Sequence, residues 1–219
     1  MAADAQTLMN LFPDVAGDKL AVVVPDQGPR WTYAFLRQQI ESLRDHLRRG
    51  GIGPGDVVSI VLPNGLEFLA TFQAVTWARA IAAPLNPAYK VEEFRFYMED
   101  AGAKVVVVPP GNHPAREAAA QLNLPVWEAR LDSKGHAVLE RPQGAPADTQ
   151  AADPPRGDDV ALFLHTSGTT SRPKGVPLTH ANLCTSLRNI ADTYALSPDD
   201  VSLIVMPLFH VHGLLGATL

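Results

Sequence analysis

"VALFLHTSGTTSRPKGVPLTH" occupies residues 160–180. It opens on an apolar run, Val160–Leu164, that reads as a buried strand. A polar segment follows, and then the short run "GVPLTH". Thr179 can cap a helix there, with Leu183, Leu187, Ile190 and Tyr194 at helical spacing. A strand running into a glycine turn at its carboxyl end is where open α/β sheets bind their ligands.

Residues 165–175, "HTSGTTSRPKG", carry the chemistry. Glycine lets the backbone turn tightly and approach a ligand closely. Successive main-chain N–H groups in such a turn form an anion-binding nest. Thr166, Ser167, Thr169, Thr170 and Ser171 add short neutral donors, Lys174 adds a mobile cation, and Arg172 can add a second. Together they suit a polyphosphate. A solvated Ser/Thr turn is the alternative, and the flanking strands and the lysine argue against it.

The segment is not a Walker A loop. Gly168 and Lys174 have that loop's interval, but Pro173 stands at the second glycine and has no N–H to give a phosphate. Gly175 stands where the Mg2+-binding hydroxyl would be.

The same alternation runs upstream. "AVVV" (21–24) is a short apolar run. Thr32 can cap a helix with Leu36, Ile40, Leu43 and Leu47 on its apolar face, stopped by Gly50-Gly51. "VVSIVL" (57–62) reads as a buried strand. Asn64 and Glu67 resemble a capping box for a helix that buries Phe68, Leu69, Phe72 and Val75. A helix after Pro87 carries Val91, Phe94 and Met98. "KVVVV" (104–108) is another strand, and Pro114 opens an Ala-rich helix. Strands apolar on both faces between helices predict an α/β fold with mostly parallel sheets and flanking helices.

Residues 140–159, "ERPQGAPADTQAADPPRGDD", are rich in proline and scattered charge and read as a linker. The expected organisation is therefore an N-terminal α/β subdomain (1–139), a Pro-rich linker (140–159) and the start of a nucleotide-binding subdomain (160–219).

Composition narrows the function classes. The 219 residues are 46% hydrophobic with a formal net charge of −5. That suffices for one large core or two smaller ones. Both charge signs are scattered, with no basic block suited to nucleic acid. Cys184 is the one cysteine, so no internal disulfide can form, and a reducing compartment is expected. The N-terminus has neither a secretory nor a transit pattern. "VSLIVMPLFHVHGLLGATL" (201–219) lacks Asp, Glu, Lys and Arg, yet Pro207, Gly213, Gly216 and two histidines interrupt it. A strand at "VSLIVM" (201–206), a turn and a new helix are expected rather than a membrane span.

Several ordered segments resemble one family. "TSGTTSRPKG" is similar to the phosphate-binding signature of the adenylate-forming superfamily, with Ser171 where glycine is common. "VPLTHANL" resembles the segment that follows it. "MPLFHVHG" (206–213) resembles the aromatic-His segment lining the acyl pocket, and "LPNGLEFLATFQAVTWARAIAAPLNPAY" (62–89) resembles the N-terminal region. Within the superfamily, His165, Ser171, Pro177 and His212 resemble the oxalate–CoA ligase branch.

That resemblance implies the N-terminal portion of the large domain of an adenylate-forming enzyme. It implies ATP-dependent activation of a small carboxylic acid, oxalate in the nearest branch, as an acyl-adenylate, followed by transfer to CoA. Alternatives are a 4-coumarate-like or medium-chain fatty acid ligase, or a short non-catalytic nucleotide-binding or interaction protein. The resemblance assigns Thr166, Ser167, Gly168, Thr169, Thr170, Ser171 and Lys174 to the ATP phosphates, and His210 and His212 to the substrate pocket. Mg2+ would share the phosphates. A histidine can donate to the far end of a small dicarboxylate. His165 is expected to support the loop, His180 to sit in a first helical turn without a chemical role, and Cys184, Trp31, Trp77 and Trp127 to pack.

The resemblance places no catalytic residue and no metal ligand within residues 1–219. The family's Mg2+-linked Glu, ribose-binding Asp, hinge and catalytic Lys belong to segments that this sequence does not contain. The apolar ending "HGLLGATL" adds the expectation that the chain is an N-terminal fragment, inactive alone and requiring the C-terminal region. The expected location is cytoplasmic, or peroxisomal should a longer form carry the address. The expected partner is a small-molecule carboxylate, with neither nucleic acid nor membrane.

Overall fold

A computed structural model describes residues 5–11, 15–142, 153–166 and 173–219. Its first paired strands, β1 (Leu20–Val23) and β2 (Arg30–Thr32), form a separate antiparallel hairpin. Helix α1 (Tyr33–Arg49) starts where expected: Thr32 Oγ1 accepts the Phe35 N–H at 3.2 Å. That removes one of the unpaired donors at a helix N-terminus. Its buried stripe is Leu36, Ile40, Leu43 and Leu47, with Gln39 beside it. The stripe ends at Gly50, where a Cβ would meet the Trp127 ring at 2.2 Å, so only glycine fits.

Then follow β3 (Val57–Ile60), α2 (Leu66–Trp77), β4 (Ile81–Pro84), α3 (Val91–Asp100), β5 (Ala103–Val108), α4 (Pro114–Gln121), β6 (Val126–Leu131) and β7 (Ala137–Glu140). Past the 140s come β8 (Val160–Thr166), β9 (Lys174–Thr179), α5 (His180–Thr193) and α6 (Val211–Ala217). Strands β3 to β9 form one sheet in the order β7-β6-β5-β3-β4-β8-β9. Pairs β6-β5, β5-β3, β3-β4 and β4-β8 are parallel, and only the edge pairs β7-β6 and β8-β9 are antiparallel. The expected α/β architecture, a mostly parallel sheet flanked by helices, is what forms.

The sheet is covered on both sides, which explains its continuous apolar strands. Val105 and Val107 of β5 enter the core shared with α1 and α2. Val106 and Val108, on the opposite face, enter a second core with Phe94 and Met98 of α3 and Ala115, Ala118 and Ala119 of α4. Helix α2 is buried around its whole circumference, so its sequence shows no polar stripe.

Three expectations fail. Asn64 does not cap α2: the N-cap is Gly65 and no side chain bonds the exposed helix end. Residues 201–206 form no strand, and Val201, Leu203 and Val205 are 95%, 76% and 75% exposed. A strand needs a hydrogen-bonding neighbour, and among the described residues none runs beside this segment. Tyr194 does not share the buried face of α5: it is the C-cap residue and is exposed, whereas Leu183, Cys184 and Leu187 are buried. No helix among the described residues is long and apolar enough to cross a membrane, and the end of the 201–219 segment forms the seven-residue α6.

Candidate nucleotide and acid site

The carboxyl ends of the parallel strands gather the candidate residues on one edge. Strand β8 runs parallel to β4, so Thr166 lies on the same edge as the loops leaving β3, β4 and β5. The antiparallel partner β9 returns from that edge, pairing Thr166 with Lys174 and His165 with Gly175. A hydroxyl and an ammonium group thus flank the point where the Gly/Ser/Thr segment leaves the sheet. Both residues are exposed. Ser167, Gly168, Thr169, Thr170 and Ser171 lie outside the described residues.

Gly175 has a packing reason. A Cβ there would sit 2.3 Å from Cζ of Phe163, whose ring leans across the hairpin from β8. The next residue in that direction, His165, has its side chain only 7% exposed. It packs edge-on against Tyr97 at 4.7 Å and Phe163 at 5.2 Å between ring centres. Its Nε2 lies 2.9 Å from Oδ2 of Asp100, the last residue of α3. His165 therefore braces the end of β8, while the loop it is expected to support lies outside the described residues. Asp100 carries no sequence signal of that role.

The second group is the His segment. His210 is the N-cap of α6: its N–H donates to Pro207 O at 3.1 Å, and its Nδ1 accepts the His212 N–H at 3.2 Å. Both imidazoles are exposed. Leu208, Leu214 and Leu215 bury themselves in the main core and dock the segment on the sheet. Asn64, just past β3, reaches the same segment. Its Nδ2 donates to Met206 O at 2.9 Å and its Oδ1 accepts the Leu208 N–H at 2.8 Å. The sequence marks Asn64 only as a capping residue, so this long-range role was not foreseen. Strand β4 alone separates β3 from β8. Two strand spacings, about 10 Å, therefore separate the axes of the strands that carry the two groups.

The remaining candidates are structural. His180 is fully buried, its Nδ1 accepts the Leu8 N–H at 3.1 Å, and burial holds its pKa down at about 4. Cys184 is buried, which pushes its thiol pKa up and away from nucleophilic use. Trp31 is buried with its indole N–H on Gly135 O, and Trp77 and Trp127 are buried too. Among the described residues no cluster of three or more His, Cys, Asp or Glu could hold a metal ion.

Known proteins resemble this chain in sequence and in fold. The chain is 45% identical to the oxalate–CoA ligase of Arabidopsis thaliana over 99% of its own length and 43% of that protein. It is 37% identical to the oxalate–CoA ligase of Saccharomyces cerevisiae over 98% of its length and 46% of that protein. Its fold matches apo MatB from Rhodopseudomonas palustris with a TM-score of 0.76 and 29% identity, covering 91% of this chain and 39% of that one. The chain spans less than half the length of the curated relatives it matches. Residues 12–219 match the AMP-binding enzyme family, a match that takes in the hairpin, Asn64 and both histidines, and to that family the chain belongs.

Proposed function

We propose that this chain carries the phosphate-binding and acid-binding part of an ATP-dependent acid–CoA ligase whose acid is a small dicarboxylate, oxalate foremost. The observation that carries the reading is the shared edge. Thr166 and Lys174 flank one site, and Asn64 holds the His210–His212 segment at the neighbouring strand end.

Thr166 and Lys174, with Ser167, Gly168, Thr169, Thr170 and Ser171 between them, would hold the β- and γ-phosphates. A carboxylate is already ionised near neutral pH, so its attack on the α-phosphorus needs no general base. One carboxylate O–P bond forms, the bond to the β-phosphate oxygen breaks, and pyrophosphate leaves with its charge met by the hairpin donors. In the second half-reaction the CoA sulfur takes the acyl carbon, AMP leaves, and the thiol proton passes to solvent. Mg2+, held through phosphate oxygens, would neutralise charge on the triphosphate. No described carboxylate cluster in this chain would bind it independently.

After one end of oxalate is activated the other remains an anion. His210 and His212 can each donate to it. A long-chain or aromatic acid would instead call for an apolar pocket. The names of the two relatives above favour the same acid.

Because residues 1–219 are expected to be inactive alone, the test is acid-dependent ATP–pyrophosphate exchange by the protein purified from its source, with oxalate, malonate, ferulate and octanoate. Exchange with oxalate above the others is expected. Exchange with ferulate or octanoate alone would replace the acid in this reading. ATP binding without exchange by any acid would favour a non-catalytic nucleotide-binding role.

A further inference from the structure

We infer that Asn64 is a positioning residue that fixes the register of the His210–His212 segment against the carboxyl end of β3. The inference rests on the proposed role of those histidines and adds to it the group that places them.

Burial of Leu208 and Leu214 holds the segment down, but apolar contact is non-directional and tolerates sliding. The two hydrogen bonds of the Asn64 amide do not. They take the C=O of Met206 and the N–H of Leu208, one residue on either side of Pro207, across a separation of more than 140 residues. Proline has no N–H, and its free carbonyl accepts the His210 N–H. The Nδ1 of His210 then accepts the His212 N–H. The connection runs from Asn64 through Met206 and Leu208, the Pro207 carbonyl and the His210 backbone to both imidazoles.

Gly213 closes the arrangement from the other side. A Cβ there would stand 2.3 Å from Pro207 O and 2.9 Å from Met206 O. The first turn of α6 thus rests on the carbonyls that Asn64 orients. A slip of one residue would turn His210 from the edge and would set Gly213 against the wrong backbone atoms.

The test uses the whole 219-residue chain with Asn64→Ala and Asn64→Asp. In Asn64→Ala, the Leu208 amide should exchange with solvent about tenfold faster, the worth of one such hydrogen bond. The imidazole nitrogen signals of His210 and His212 should move, while those of His165 and His180 stay. Asn64→Asp keeps an acceptor for the Leu208 N–H but cannot donate to Met206 O, so amide protection should be retained and the imidazole shifts should be smaller. In acid-dependent ATP–pyrophosphate exchange by the native protein, Asn64→Ala should raise the KM for the acid about tenfold and that for ATP less than about twofold. Unmoved imidazoles with unchanged Leu208 exchange would overturn the inference. So would an equal rise in both KM values. No exchange with any acid by the native protein purified from its source would overturn the ligase reading, while the amide and imidazole signals of the 219-residue chain would still decide the role of Asn64.

Discussion

Asp100 Oδ2 lies 2.9 Å from His165 Nε2, tying the last residue of α3 to the strand that leads into the Gly/Ser/Thr segment. The imidazole is nearly enclosed by Tyr97 and Phe163, so this contact fixes its ring plane and, through it, the end of β8. If Thr166 and Lys174 meet the phosphates, loosening that end weakens ATP binding without touching the acid. Asp100→Asn should raise the Kd for ATP several-fold while the melting temperature falls by less than about 4 °C. ATP titration and thermal unfolding check this together. Unchanged ATP affinity, or a loss matched by unfolding, would remove His165–Asp100 from the site.

Arg79 and Asp159 make a bidentate pair, 2.8 Å from Nε to Oδ2 and 3.0 Å from Nη2 to Oδ1, with both side chains largely buried. Asp159 Oδ2 also accepts the Arg156 N–H, and its backbone carbonyl accepts the His180 N–H. The pair therefore fastens the approach to β8 and the start of α5 to the end of α2. Asp159→Asn leaves a buried guanidinium without its counter-charge and should cost about 3 kcal/mol by urea denaturation. Arg79→Lys cannot reproduce the fork and should cost about half as much. Burial pushes the Asp159 carboxyl up, but the hydrogen bond and charge of Arg79 and the Arg156 N–H together hold its pKa below 3.8. Its contribution is therefore complete above pH 3.8 and disappears as pH falls through the lower folded value. A wild-type and an Asp159→Asn protein of equal stability at pH 7 would refute the assignment.

Some of this was legible in the sequence and some was not, for physical reasons. Thr32, the Leu36–Leu47 stripe and Gly50-Gly51 announce α1 because cap, period and stop are all local signals. The valines of β5 announce a buried strand because both faces are covered. Strand β4 is hidden because "IAAP" is short and small, and its burial comes from its neighbours. The β6–β7 hairpin is hidden because its residues alternate in burial at an edge, with Asp132–Gly135 as its turn. "VSLIVM" misleads for the opposite reason: it has a strand's composition but no described neighbour to pair with. The Gly/Ser/Thr segment and the histidines were visible as residue types. The roles of Asn64, which the sequence marked only as a cap, and of Asp100 were not, since each acts on a partner far away in sequence.

His180 is expected to make the fold sensitive to mild acid. Burial drives its pKa down to about 4, against the opposing pull of the Asp159 charge and the Thr76 backbone. Nδ1 accepts the Leu8 N–H, so the folded state holds the neutral ring. Because the folded value lies below the unfolded 6.5, stability from this site is complete above pH 6.5 and is lost as pH falls toward 4. Between pH 7.5 and 5.0 the loss should be about 2 kcal/mol. Burial lowers His46 and His113 as well, which adds in the same direction. His180→Gln should lower stability at pH 7.5 and flatten the slope between the two pH values. Urea denaturation of both proteins at each pH measures this, and an unchanged slope in the variant would place the sensitivity elsewhere.

The glycine that follows Lys174 offers a test of the hairpin itself. A Cβ at Gly175 would stand 2.3 Å from Cζ and 2.9 Å from Cε1 of Phe163, far inside contact distance. The backbone at Gly175 needs no left-handed conformation, so any cost of Gly175→Ala comes from the ring. The ring can yield only by leaving its packing beside His165, and overfilling of this kind costs roughly 1–3 kcal/mol. Phe163→Ala makes room at the price of lost apolar burial. In the double variant the alanine at 175 should then cost almost nothing, a coupling of about 1 kcal/mol or more. Urea denaturation of the four proteins gives the coupling directly. ATP affinity should follow the same cycle, falling in Gly175→Ala and recovering in part when Phe163 is also removed, because Lys174 is the neighbour that a displaced Gly175 carries with it. Strictly additive losses would mean that the ring and the glycine do not constrain one another, and the need for glycine at this position would then have to lie in the residues between Thr166 and Pro173.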